Sequence, residues 1–467
     1  MEDQNGNKLF DGHDGWALME VGQTELGDER RTKRLVRVVS ALAANPTCSM
    51  PEAFESWTDI KAAYRFFEND DVEPAAILGG HRLSTLRRMS KYPVVLAIQD
   101  TTTVNFSGLK ATKRLGSIGA KRGLQKEDPQ GFFVHSCLTA TLEGVPLGLL
   151  AQKQWVRGGE ESDSEEGENS GAGQTGRAAV ESARWTEMVE ASVMGLPPGT
   201  RVIHVADREA DIYDVFAKVL ELNQDALVRA KHNRHLAGGA GRLWDVLDAG
   251  EVVGSITVEV QRADNRPSRT AILQLRITSV RVPSPKWGKT LTLSAVLARE
   301  IAPPEGVEPI EWRLLTTLAV ISFEDACHCV GLYTKRWLIE RFHYTLKSGC
   351  QVEELQLETA ERLQRAVSVY SVVAWRLLYL TYRARVSPEV PCTGFLSESE
   401  WQALYCKIHR TRVVPSQPPT LEAAILMIAR MGGFLARKGD GKPGVQVIWK
   451  GYRRLQDLVV MWEILRA

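Results

Sequence analysis

The stretch Tyr333–Lys347, YTKRWLIERFHYTLK, decides how the rest of this chain is read. At about 100° of rotation per helical residue, Tyr333, Arg336, Glu340 and Lys347 fall at roughly 0°, 300°, 340° and 320° around the axis, a single stripe. Leu338, Phe342 and Leu346 fall on the opposite side, with Ile339 at its flank, and form the natural core face. The spacing predicts one helix whose polar stripe lines up a carboxylate with an arginine, a lysine and a tyrosine. Such a stripe suits a metal ion held beside a polyanion. The plainer reading is a solvated face, in which an Arg336–Glu340 pair at i, i+4 contributes only about 0.3–0.5 kcal/mol. Two further carboxylates bear on that choice.

Working outward, Trp312–Thr317 reads as a strand that precedes this helix. Before it, alternating runs at Gly254–Val260, Ala271–Val282 and Thr290–Val296 predict a β-rich insertion over about residues 228–312. Further upstream the order changes to strand, hairpin, helix, strand, helix, an α/β core. Pro93–Ile98 is a β-like run leading to Asp100. Phe132–Leu142 and Pro146–Trp155 flank the turn Glu143-Gly144-Val145. Arg177–Met194 reads as a helix, Arg201–Ala206 as a strand leading to Asp207, and Ile212–Leu222 as the next helix. Asp100 and Asp207 are thus expected at the carboxyl ends of two strands, where α/β sheets carry their sites. An aspartate at a strand end is also ordinary turn or cap chemistry. Three carboxylates from two strands and one helix would suit Mg²⁺ or Mn²⁺, which take oxygen ligands and keep positions open for water and phosphate.

The flanks differ from the core. Eight Asp or Glu fall in the first 29 residues against Lys8 alone, and charge then inverts at Arg30, Arg31, Lys33, Arg34 and Arg37. With Asp28 as cap, Glu29–Ala44 reads as a basic amphipathic helix, either a solvated surface or a phosphate-contacting one. Pro51–Phe67 predicts a second helical region, with Trp57, Tyr64, Phe66 and Phe67 for packing. Residues 1–75 therefore form a small helical domain, residues 76–385 the α/β core, and residues 386–467, opened by Pro388 and Pro391, a C-terminal helical domain. Gly158–Gly176 is a low-complexity acidic stretch with six carboxylates, expected to be a mobile loop.

Composition excludes some classes. The 467 residues carry 58 basic and 57 acidic side chains, so any nucleic-acid contact must come from local clusters. Arg229, Lys231, His232 and Arg234 form one cluster, and Lys110, Lys113, Arg114, Lys121, Arg122 and Lys126 another. Seven cysteines without framework spacing predict reduced thiols and a cytoplasmic setting. Cys327-His328-Cys329 lacks a second ligand pair and reads as part of a helix start rather than a metal site. The polar N-terminus is not a signal peptide, and the absence of a run of about 18 apolar residues predicts no membrane span.

Tyr333-x2-Arg336-x3-Glu340-x6-Lys347 resembles the signature of DDE cut-and-paste transposases of the Tn-five type, within insertion-sequence family four. Leu96–Thr102 (LAIQDTT) resembles the family's first-aspartate strand, and Asp207–Ile212 (DREADI) its second-aspartate motif. Leu26–Leu35, Phe133–Ser136, Arg229–His232 and Ile428–Phe434 (IARMGGF) also match, in collinear order. The resemblance implies an RNase-H-like catalytic core interrupted by the β insertion, an N-terminal domain that binds DNA ends and a C-terminal domain that dimerises. It implies Asp100, Asp207 and Glu340 as the catalytic triad holding two Mg²⁺ ions, with Mn²⁺ as a substitute. By the resemblance Arg336 and Lys347 would grip phosphates. From the residues themselves, Tyr333 could donate a hydrogen bond to a phosphate, and Arg229, Lys231, Arg234, Arg30, Arg31, Lys33 and Arg34 could contact DNA, although each cluster taken singly is more often a solvated surface. In the family, cleavage passes through a DNA hairpin aided by base flipping, and Trp312 would stack on that base; a core aromatic on a strand is the equal alternative. The partners implied are double-stranded DNA, as transposon ends and as target, and a second copy of the chain in a synaptic complex, with a bacterial, nucleoid-associated location. The acidic stretch is longer and more charged than the family pattern.

Two other functions fit parts of this pattern. A nuclease on the same fold would cut without joining, and the basic N-terminal domain and the β insertion with Trp312 argue against it. A DNA-binding inhibitor of transposition would need no carboxylates, and the three present argue against that.

Overall fold

The apolar run after Pro93 starts strand β1 (Val94–Asn105), on which the α/β arrangement is built. The computed structural model describes residues 12–46, 48–54, 56–109, 111–119, 128–157, 173–260, 269–284, 288–437 and 440–466. They fall in two compact units: the described residues within 1–91, 101–168 and 339–467, and those within 92–100 and 169–338. Lys110, Lys121, Arg122 and Lys126 of one expected basic cluster, and residues 158–172 of the acidic stretch, lie outside the described residues. From Gly173 that stretch is already helix, a start earlier than the sequence indicated.

In the unit formed by residues 92–100 and 169–338, the first half of β1 pairs in parallel with β5 (Arg201–Ala206). β5 pairs in parallel with β6 (Asp225–Arg229). The sheet then turns antiparallel through β10 (Glu311–Thr316), β9 (Thr290–Glu300), β8 (Arg269–Pro283) and β7 (Val252–Val260). This meander is the expected β insertion, and its alternating residues are what a half-buried sheet requires. Gly254 is needed where β7 meets the next helix, since a Cβ there would lie 2.4 Å from the Phe323 ring. Helix Tyr213–Glu221 buries Val215, Phe216 and Val219 against Trp185, Leu243, Leu247, Leu297 and Leu315. A side chain as buried as Phe216 contributes about 1.5–3 kcal/mol.

In the other unit, β3 (Gln130–Ala140) pairs antiparallel with β4 (Pro146–Trp155) across a turn where Gly144 takes φ +95°, and the short β2 (Gly116–Ser117) pairs with the start of β3. Helix Glu29–Ala44 has the expected bounds and its Asp28 cap, which accepts from the Arg30 amide at 2.8 Å. Leu35, Val36, Val38, Val39 and Leu42 form its buried side. The following helix, Trp57–Glu68, buries Ala63, Phe66 and Phe67. Trp57, expected to pack, is instead 67% exposed: it opens the first turn on the face opposite the buried Phe66.

The long helix Ala360–Val386 forms the centre of this unit. Arg376 on it lies over the rings of Trp16, at 4.2 Å, and Tyr452, at 5.8 Å. Glu20 and His81 are buried together, with Nδ1 donating to Glu20 Oε1 at 2.5 Å while Nε2 accepts from the Leu149 amide at 2.9 Å. Burial alone would raise the Glu20 pKa, but Arg88 and His81 overcome it and hold the carboxyl at about 2. Helices Leu421–Met431 and Val445–Ile464 pack closely through Gly432 and Gly451.

The fold is therefore mixed α/β, with a large mixed sheet and helical segments at both ends of the chain, consistent with an RNase-H-like core. All seven cysteines are free. Among the described residues no helix is long and apolar enough to cross a membrane.

The single helix expected over Tyr333–Lys347 is broken. Phe323–Thr334 and Trp337–Tyr344 are separate helices, and Thr345–Gly349 is a wider π turn. At the break the bonds tighten to i→i+3, with the Lys335, Arg336 and Leu338 amides donating to the Leu332, Tyr333 and Lys335 carbonyls. Arg336 thus sits in a turn between helices. The apolar side survives the break: Leu338, Ile339, Phe342 and Leu346 are all buried.

Candidate active site

Asp100 is mid-strand rather than at a strand end, because the β-branched run Thr101–Val104 continues β1. Its parallel pairing with β5 nevertheless stops just before it. The register runs from Val94↔Arg201 to Ile98↔Val205, each pair 107 residues apart. Asp100 and Asp207 have the same separation, and each lies two residues beyond the last pair, Asp207 just past the end of β5. Neighbouring strands lie about 4.8 Å apart. Both residues are partly exposed. Asp207 follows the last residue of β5 and caps the short 3₁₀ turn Arg208–Ala210, accepting from the Glu209 amide at 2.9 Å.

Tyr333 belongs to the same unit and is 4% exposed. Its ring packs edge-on against Trp312, with centroids 5.3 Å apart. Trp312 is thus part of an aromatic pair and is also partly exposed, which keeps both readings of it. Burial raises the Tyr333 pKa; Arg336 and Arg229 act against it, and Asp207 adds to it. Burial lowers the Arg229 pKa; Tyr333 opposes that, while Arg208 and Arg336 add to it. Three guanidiniums, one phenol and one carboxylate therefore act on one another, and Arg229 also donates to the Glu311 carbonyl at 2.8 Å. Guanidiniums crowded in this way favour an arriving polyanion.

Beside this cluster is a cleft of about 330 Å³ lined by Arg208, Arg229, Ala230, Lys231, Trp244, Glu311 and Arg313. Arg313 lies 4.8 Å over the Trp244 ring and pairs with Glu311. Sequence reasoning missed Arg208, Trp244 and Arg313 as neighbours of the site. Arg208 was within reach, because it directly follows Asp207. Trp244 carried no signal, because helix Leu243–Ala249 brings it there through tertiary packing. Arg234 is engaged otherwise: it pairs with the buried Asp211, which also accepts from the Lys231 and His232 amides at 2.7 and 3.1 Å. That arrangement shapes the loop presenting Lys231 and gives Arg234 a structural task.

Glu340 and Lys347 belong to the other unit. Glu340 is partly exposed in the first turn of Trp337–Tyr344. Lys347 donates to the Thr103 carbonyl of β1 at 2.9 Å and lies 3.4 Å from Glu353. Among the described residues no group of three or more His, Cys, Asp or Glu side chains is arranged to hold a metal ion.

The basic helix keeps its cations outward but not unengaged. Arg30 pairs with Asp28, Lys33 with Glu29 and Arg31 with Asp71, while Arg34 is partly exposed and Arg37 exposed. On the neighbouring helix Trp57, Lys61 and Arg65 recur every four residues, all exposed, with Lys61 lying 5.2 Å over the Trp57 ring.

A family model described as transposase DNA-binding matches residues 13–72, and one described as the transposase Tn5 dimerisation domain matches residues 372–466. The first covers the basic helix and the Trp57 helix, and the second begins within the long central helix and runs through the C-terminal helices. The two matches support a Tn5-type transposase, with DNA and a second copy of the chain as its partners.

Proposed function

We propose that the chain is a DNA transposase that binds terminal inverted repeats, excises the intervening element through a DNA hairpin intermediate and joins its 3′-OH ends to target DNA. What supports this reading is the parallel pairing of β1 with β5 up to Ile98↔Val205, two residues short of Asp100 and Asp207, together with a buried tyrosine and crowded arginines. The carboxylates of Asp100, Asp207 and Glu340 would hold two Mg²⁺ or Mn²⁺ ions. These residues are oxygen donors of the kind such ions take, and the bound ions would stabilise the attacking and leaving oxygens of phosphoryl transfer.

The chain's own side chains supply position. Arg229 and Arg336 clamp a phosphate, and Tyr333, held between them, donates its hydroxyl to it. Lys347, which donates to the Thr103 carbonyl, would grip a further phosphate. Trp312, partly exposed and packed on Tyr333, would stack against an unstacked base. Lys231 and Arg208 continue the positive surface along the cleft. Arg34, Arg37, Lys61 and Arg65 would hold the backbone of the end sequence, with Trp57 against bases or sugars.

Excision from a supercoiled plasmid in Mg²⁺ tests the proposal. The expected products are excised element and joined target, both abolished by Asp100→Ala, Asp207→Ala and Glu340→Ala. Normal excision by any of these variants would refute the site, and cut ends without joined product would point to a nuclease.

A further inference from the structure

On β1 and β5, just before Asp100 and Asp207 in the chain, lies a buried polar pair that the proposed chemistry does not use. Gln99 precedes Asp100 on β1, and His204 stands three residues before Asp207 on β5. Each is 2% exposed, and Gln99 Nε2 lies 3.2 Å from His204 Nδ1. Burial holds the imidazole neutral, with its pKa pushed down to about 3. The pair is incompletely satisfied: among the described residues Gln99 Oε1 and His204 Nε2 have no hydrogen-bond partner. Flipping the amide exchanges which Gln99 atom faces His204 and still leaves buried polar atoms unmatched. An unmatched buried group costs about 1–3 kcal/mol, and replacing both partners by apolar groups of like shape is often neutral or stabilising. A pair that stability alone does not favour, placed across the strands that carry the site, calls for another role.

We propose that Gln99 and His204 are positioning residues that clamp β1 to β5 and so fix the level of Asp100 against Asp207 for divalent-cation binding. The clamp works through the backbone. Side chains alternate across a strand, so a cross-strand bond at Gln99 holds the pleat from which Asp100 projects on the other face. A slip of one residue would turn one aspartate away from the other. The inference rests on the carboxylate site proposed above.

The test is direct Mn²⁺ titration of the full-length protein, following the free-ion signal by electron paramagnetic resonance, alongside thermal unfolding. The double variant Gln99→Met/His204→Leu is expected to melt at or above the parent temperature yet bind Mn²⁺ about tenfold more weakly, the low end of effects seen when groups supporting metal ligands are removed. His204→Gln, which keeps a hydrogen-bonding partner for Gln99, is expected to stay within about twofold of the parent. Parent-like affinity in the double variant would overturn the clamp. Should the double variant fail to fold, Gln99→Met alone reads the same loss, and parent-like binding there would equally overturn it. Mn²⁺ binding that survives Asp207→Ala would instead overturn the carboxylate site, and the clamp with it.

Discussion

Arg229→Met offers the sharpest quantitative test of the arginine cluster. Arg229 is partly buried and crowded by Arg208 and Arg336. Its removal takes away one phosphate clamp and its bonds to Tyr333 and the Glu311 carbonyl, while relieving repulsion among the remaining cations. A charge-assisted phosphate contact of about 1.4 kcal/mol corresponds to tenfold in affinity. Each phosphate neutralised adds about 0.9 to the slope of log affinity against log salt. The parent curve is therefore steeper by that amount, and a fourfold rise in salt shrinks the variant's deficit by roughly 3.5-fold. A deficit of about tenfold near 50 mM salt should narrow to about threefold near 200 mM. Fluorescence anisotropy of a labelled duplex, titrated at several salt concentrations, reads this directly. A deficit that stays constant across salt would refute a phosphate contact. A large fall in melting temperature would show Arg229 to be structural.

Trp57→Ala should leave stability within about 0.5 kcal/mol, since the ring is exposed, yet weaken duplex binding by about 1–3 kcal/mol; unchanged binding would remove Trp57 from the DNA face. The buried Glu20–His81–Arg88 network makes stability fall in acid. The His81 pKa lies below its ordinary value, so the loss begins as pH drops below about 6.5. Glu20, depressed to about 2, adds a loss of about 3 kcal/mol as pH falls from near 4.5 towards 2. Urea unfolding at a series of pH values should show this slope, and Glu20→Gln should flatten its lower part. Gly451→Ala should destabilise the protein by about 3 kcal/mol in thermal unfolding. A Cβ there would lie 1.7 Å from the Ile428 carbonyl, and a melting temperature equal to the parent's would contradict that packing.

Local signals carried much of the fold. The charge inversion at Arg30 and the Asp28 cap located Glu29–Ala44, the run RVIHVA located β5, and period-two alternation located the meander. Three features needed tertiary structure. The break at Lys335–Arg336 was hidden because the apolar spacing of Leu338, Phe342 and Leu346 continues smoothly, while the turn depends on bond lengths of three residues rather than four. Trp57 looked like core because an aromatic side chain does not itself report which face it occupies. The parallel pairing of β1 with β5, which ends two residues before Asp100 and Asp207, joins segments more than a hundred residues apart, and no local pattern records it. The motif residues were therefore legible one by one, whereas their neighbours Arg208, Trp244 and the Gln99–His204 pair became visible only through the sheet.

Whether Asp100, Asp207 and Glu340 share cations is tested most directly by diffraction from Mn²⁺-soaked crystals, recorded for anomalous signal. Metal peaks are expected at about 2.0–2.2 Å from carboxylate oxygens of all three residues. Peaks that engage the two aspartates without Glu340, or that lie elsewhere on the protein, would contradict that sharing.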